Sequence, residues 1–134
     1  MPINEVTVTN AQATQAAGTT YVDVRSTQEF EAGHPAGAVN VPLLEPDEDT
    51  GQMMPNPDFV RVMQANFAPD TPLLLGCKTG GRSARAAQML EAFGYGNLTN
   101  VAGGFVDWSA KGLPTGTTAA PGGSYTELLN KADG

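Results

Sequence analysis

The sequence holds one cysteine, one histidine and one tryptophan in 134 residues. One cysteine closes no intramolecular disulfide, which fits a reducing compartment. One cysteine with one histidine also leaves too few soft ligands for a protein-built zinc site. Basic residues are scarce, 7 Lys and Arg against 14 Asp and Glu, for a net charge of −7. Phosphate binding needs a broad basic surface, so no nucleic-acid partner is expected. An anionic membrane is equally unattractive to such a chain, and no apolar run approaches the ~20 residues of a membrane span. Residues 1–18 carry no Lys, no Arg and no apolar stretch, and they do not read as a secretory signal. These absences together give the expectation of a cytoplasmic protein. A 40% hydrophobic and 16% charged composition is that of an ordinary globular chain, long enough for one domain with a sizeable core.

What is present is unevenly placed. No Lys or Arg lies between Arg25 and Arg61, whereas Glu29, Glu31, Glu45, Asp47, Glu48, Asp49 and Asp58 do. Three of the 7 basic residues, Lys78, Arg82 and Arg85, fall within nine positions beginning at Cys77. An acidic chain has gathered positive charge around its one thiol.

Strand-length apolar segments alternate with segments of helical period, which predicts an α/β fold with a mostly parallel sheet. Val6 to Val8 is read as a short first strand, followed by an Ala/Gln-rich helix ending at Gly18. Tyr21 to Val24 is a strand with Val22 and Val24 on one face, and Ser26 with Glu29 makes a capping box for a short helix. Ala38 to Val41 is the next strand, and residues 45–57 form an acidic, Pro-containing loop. Pro57 suits the first position of a helix running to about Phe67. Leu73-Leu74-Leu75 is fully apolar and is placed at the centre of the sheet. The helix after it carries Ala86, Met89, Leu90 and Phe93 as its buried stripe and ends at Gly94. Leu98 to Val101 is the last strand and Phe105 to Lys111 the last helix of the globular part. Residues 1–114 are read as the domain. Residues 115–134 are read as a Gly/Thr/Pro-rich tail with a short helix capped by Ser124 and Glu127.

Between the apolar strand and its helix stands Gly76-Cys77-Lys78-Thr79-Gly80-Gly81-Arg82-Ser83. A strand, a glycine-rich turn and a helix in succession point backbone N–H groups into the turn, and the helix end adds about half a positive charge. A thiolate there is favoured by those N–H groups and by Lys78 and Arg82, so Cys77 should ionise below the ~8.5 of a free thiol and act as a nucleophile. An inert cysteine at the end of a core strand is the plain alternative. Three chemistries use loops of this kind. A nucleotide-binding P-loop would need a lysine where Arg82 stands and an acidic strand end that is missing. Phosphate-ester or arsenate chemistry at cysteine generally places five residues between cysteine and arginine. Only four separate Cys77 from Arg82, a tighter loop that suits transfer of a single sulfur atom.

Four segments taken together resemble the rhodanese (sulfurtransferase) family. Asp23-Val24-Arg25 followed by Glu29-Phe30 is similar to the entry motif. Gly33-His34-Pro35-Ala36-Gly37-Ala38-Val39-Asn40-Val41-Pro42 is similar to the second, with Pro35 in place of the usual isoleucine. Cys77 to Ser83 matches the C-x-x-G-x-R-S active loop, and Gly103-Gly104-Phe105-Val106-Asp107-Trp108 the terminal motif. The resemblance spans about Val6 to Pro114 and is strongest to stand-alone single-domain members, including the plant senescence-associated type. It implies a single domain with a central five-stranded parallel sheet flanked by helices on both faces. It implies Cys77 as catalytic residue, with Lys78, Thr79, Gly80, Gly81, Arg82 and Ser83 as the substrate-binding loop and Arg82 orienting an anionic donor. The reaction implied takes a sulfane sulfur from a donor such as thiosulfate, through a persulfide on Cys77, to cyanide, a thiol or a protein acceptor. Neither metal nor organic cofactor is implied. A non-enzymatic binding or regulatory module is the reading from another class. Outside the loop, His34 is read as structural, Arg25 as the ion-pair partner of Glu29, and Trp108 and Phe105 as core.

Overall fold

The computed structural model describes residues 3–134 and builds the expected layers from short elements. In chain order these are β1 (Asn4–Val6), α1 (Val8–Ala16), β2 (Thr20–Asp23), α2 (Thr27–Ala32), β3 (His34–Pro35), β4 (Val39–Asn40), β5 (Leu44–Pro46) and β6 (Met53–Pro55). There follow α3 (Phe59–Asn66), β7 (Leu73–Gly76), α4 (Gly81–Ala92), β8 (Leu98–Val101), α5 (Gly104–Ala110), β9 (Thr115–Gly116) and α6 (Tyr125–Asp133). The main sheet has five parallel strands in the order β1-β8-β7-β2-β4. β7 is central because its three leucines must be covered on both faces. Leu73 and Leu75 join Val22, Val24, Val62, Met63, Ala86, Ala87, Leu90 and Leu128 on one side. Leu74 joins Val8, Tyr21, Val101 and Trp108 on the other. Complete burial of each leucine contributes about 2 kcal/mol. The same alternation carries Cys77 onto the Leu73–Leu75 side.

Several boundaries move, each for a local reason. Thr7 is the cap of α1, its hydroxyl accepting from Asn10 N at 3.3 Å, so the first strand ends at Val6 and Val8 is helical. Pro57 precedes α3 rather than starting it, since Asn56 Oδ1 takes the Asp58 N–H at 3.0 Å in a turn of its own. The stripe of α4 is Ser83, Ala86, Ala87 and Leu90, while Met89 and Phe93 are 42% and 53% exposed. Small side chains let the helix lie close on the sheet, and the large ones turn outward.

The acidic loop is a hairpin. β5 and β6 pair antiparallel, Glu45 opposite Met54. Asp47 Oδ2 makes the turn by accepting from Asp49 N, Thr50 N and Thr50 Oγ1 at 3.0–3.2 Å. Glu45 takes the Thr27 N–H at 2.6 Å and its hydroxyl at 3.1 Å, tying the hairpin to the start of α2. Two of these acids are therefore structural, and Glu48 and Asp49 are the ones left exposed at the tip.

The segment after Pro114 docks on the domain at several points. β9 pairs with β3, the Ala120 N–H reaches Ala38 O, and the Asn40 N–H reaches Gly123 O, so the chain runs beside edge strand β4. His34, fully buried and stacked on Phe30, sits between the carbonyls of Phe30 (Nδ1, 2.6 Å) and Thr118 (Nε2, 2.9 Å). This is the structural role expected of it. The Ser124–Glu127 box opens α6, which lies against α3 and places Leu128 in the core.

Candidate active site

The site forms where β7 ends and the chain turns back into α4. Strand register sets Gly76 beside Asp23 of β2 and Leu75 beside Asn100 of β8. Gly76 is required there: a Cβ would collide with the Tyr21 hydroxyl, which occupies that space. Gly80, at φ +116°, is the left-handed residue that turns the loop into α4. Behind the loop, the Phe105 N–H donates to Cys77 O at 2.8 Å and the Val106 N–H to Lys78 O at 3.0 Å. Those carbonyls are drawn toward α5, which leaves the loop's N–H groups for the sulfur.

Cys77 is 2% exposed, and its Sγ accepts the Gly80 N–H at 3.0 Å with the Ser83 hydroxyl 3.5 Å away. Burial pushes this thiol up. The Ser83 hydroxyl and the N–H groups of Ser83, Gly80 and Thr79 outweigh burial, and the net result is a thiol below its ordinary value. The two cations expected to do this work are secondary. Lys78 is exposed, and Arg82 is held by Glu29, although the charge on the sulfur still reaches it.

That pair redraws the expected ion pairs. Arg82 donates through Nη1 to Glu29 Oε1 at 2.7 Å and through Nη2 to Oε2 at 3.0 Å. Glu29 Oε1 also takes the Ser26 N–H, so one carboxylate closes the α2 capping box and engages the loop arginine. Arg25 is not Glu29's partner. It pairs with Asp23 at 2.7 Å in a buried bridge, donates to Gly33 O and lies 4.5 Å over the Phe105 ring. Asn40 finishes that corner by donating to the carbonyls of Asp23 and Arg25. Beside the loop lies a cleft of about 630 Å³ lined by Ser26, Glu29, Leu44, Met53, Lys78 and Arg82. The structure thus brings Cys77, Lys78, Thr79 and Gly80 of the turn together with Gly81, Arg82 and Ser83 of the first turn of α4. It adds Asn100 and Tyr21, which lie outside the motifs, and gives Glu29 and Gly104 of the motifs a place at the site. Asn100 had a signal, being an amide inside an otherwise buried strand, where a partner is obligatory.

The hydrogen bonds from Arg82 hold the Glu29 carboxyl down at about 2, against an ordinary 4.5. A depressed carboxyl stabilises the fold fully above 4.5, and that stabilisation is lost as pH falls toward 2. Glu29→Gln is therefore expected to lower stability at neutral pH by about 1 kcal/mol, allowing for solvent screening of a partly exposed pair. The gap to the unsubstituted protein should close on acidification through that window. Denaturant unfolding at a series of pH values checks this, and a gap that stays constant contradicts it.

Comparison with known proteins identifies the family. The rhodanese-like domain family matches residues 7–111, and the chain belongs to it. It is 37% identical over 112 residues to Thiosulfate sulfurtransferase 16, chloroplastic, of Arabidopsis thaliana, covering 84% of this chain and 92% of that protein. It is 33% identical over 111 residues to Protein HIGH ARSENIC CONTENT 1, mitochondrial, of the same plant, covering 83% of this chain and 64% of that one. Among solved structures, the Rv0390 protein of M. tuberculosis superposes with a TM-score of 0.72 at 23% identity, over 88% of this chain and all of that one. The expectation of a cytoplasmic protein is corrected by these relatives, which are named chloroplastic or mitochondrial and point to an organelle. A lone free cysteine speaks of a reducing milieu, which several compartments share, and not of which compartment it is.

Proposed function

We propose that the protein is a thiosulfate sulfurtransferase that carries one sulfane sulfur as a persulfide on Cys77. The observation that carries this reading is the Gly80 N–H on Cys77 Sγ at 3.0 Å, within a turn whose donors lower the thiol. In the first step the thiolate attacks the outer sulfur of a small anion such as thiosulfate. A new S–S bond forms, the donor's own S–S bond breaks, and sulfite leaves with the electron pair. In the second step a thiol, cyanide or protein acceptor, as its anion, attacks the terminal sulfur and releases the Cys77 thiolate. The amides of Thr79, Gly80 and Ser83 carry the negative charge on sulfur through both steps. Lys78, exposed at the cleft, meets the incoming anion. Arg82 arrives already paired to Glu29, so it braces the loop more than it grips the donor. The chain holds no other cysteine, so the sulfur must pass to an external acceptor.

Intact-mass measurement after incubation with thiosulfate tests this. A gain of one sulfur atom, removed again by cyanide or a thiol, is the expected result. No gain with thiosulfate or other sulfane donors would favour the binding-module reading.

A further inference from the structure

The Ser83 hydroxyl faces more acceptors than it has protons. It is fully buried, with Asn100 Oδ1 at 2.6 Å, Gly80 O at 3.2 Å and Cys77 Sγ at 3.5 Å. One O–H serves one of them at a time. The distances give the proton to Asn100 while the sulfur is a neutral thiol. The orientation of the Asn100 amide is fixed by chemistry: its Nδ2 faces Glu5 Oε2 at 3.1 Å and Gly80 O at 3.4 Å, both of which only accept. Its Oδ1 is therefore the atom turned to Ser83. Asn100 is 3% exposed, and its backbone is fixed by pairing with both β1 and β7, so the amide has little room to move.

We propose that Asn100 is a positioning residue for the nucleophile, its side-chain carbonyl parking the Ser83 hydroxyl proton beside a neutral Cys77 and yielding it when the thiolate forms. The transfer needs only rotation of the hydroxyl about its Cβ–Oγ bond. No covalent bond changes, and the same O–H exchanges one acceptor for another. A charged sulfur is the stronger acceptor, so ionisation drives the rotation, and return of the thiol reverses it. The consequence is a sulfur whose negative charge is stabilised by Ser83 net of what Asn100 gives up. The other ionisable groups around the sulfur are Tyr21 and Asp23 of β2, Lys78 of the loop and Arg82 of α4, with Glu5 behind Asn100. None of them is altered in the variants below.

This inference rests on the reading of Cys77 as the nucleophile, yet its test needs no sulfur transfer. Cys77 is the chain's only thiol, so the pH dependence of iodoacetamide alkylation reports it alone. Removing the competing carbonyl in Asn100→Leu, which keeps the branched heavy-atom outline, should lower the alkylation midpoint by about half a pH unit. Asn100→Ala is the second variant should the larger side chain not fit. Ser83→Ala should raise the midpoint. In the Ser83→Ala background, substituting Asn100 should move nothing, because no hydroxyl is left to release. A midpoint that stays or rises in both Asn100 variants overturns the proposal, and so does a shift that survives without the Ser83 hydroxyl. Loss of sulfur transfer in the unsubstituted protein would instead count against the proposed function and leave this result standing.

Discussion

Cys77→Ser is expected to reduce sulfur transfer from thiosulfate by at least ~10³-fold, with the fold intact. Serine fits the same site, which holds Cys77 2% exposed, and its hydroxyl can accept the Gly80 N–H that Sγ now takes at 3.0 Å. The donors of the turn are arranged for an anion. A hydroxyl stays neutral at working pH and forms no persulfide, so the preformed cradle has nothing to hold. Thermal unfolding should change little while cyanide-coupled turnover disappears. Turnover that persists in a folded Cys77→Ser protein would show that another group carries the sulfur.

Much of this was legible in the residues, and the reason is physical. Leu73 to Leu75 has no polar face, so it had to be central, and its neighbours followed. The Ser26–Glu29 and Ser124–Glu127 boxes each satisfy helix-end donors within four residues, so both were readable without tertiary knowledge. The loop was readable because strand, glycines and helix lie consecutively. What failed depended on groups far apart in sequence. Helical spacing alone put Met89 and Phe93 inside, but how closely α4 approaches the sheet decides that, and the two are exposed. The acidic segment read only as a loop because Glu45's partner, Thr27, is 18 residues away.

Charge pairing was the least legible feature. Arg25 and Glu29 are four apart and of opposite sign, which is a reasonable helical pair. Yet Arg25 lies before the cap of α2, on the buried side with Asp23, while Glu29 faces Arg82 at a separation of 53 residues. Sequence spacing identifies who can meet within one helix. It is silent on which side of the sheet end each group falls, and that side determines the partners here. The same limit hid Asn100, whose role is defined by Ser83 across the β8–α4 contact.

Gly104→Ala should be the most damaging of the glycine substitutions near the site, and Gly112→Ala isolates the reason. Both positions are left-handed, at φ +55° and +67°, so either alanine carries about 1 kcal/mol of backbone strain. A Cβ at Gly112 meets nothing, whereas one at Gly104 would run into Cys77 O and the Lys78 backbone. Relief requires α5 to withdraw from the loop, breaking the Phe105-to-Cys77 and Val106-to-Lys78 hydrogen bonds and freeing the carbonyls they restrain. Overpacking adds about 2 kcal/mol, so Gly104→Ala should lose about 3 kcal/mol. Gly112→Ala should lose only its strain. Turnover separates the two further. A loop displaced by a fraction of an ångström points its N–H groups away from the sulfur, and a fall of about 10²-fold is expected for Gly104→Ala, with no change for Gly112→Ala. Denaturant unfolding and thiosulfate turnover on both variants decide the matter. Equal losses at the two positions would mean that Gly104 supplies a backbone angle and nothing more. Unequal ones would establish that the close approach of α5 holds the loop in its sulfur-binding shape.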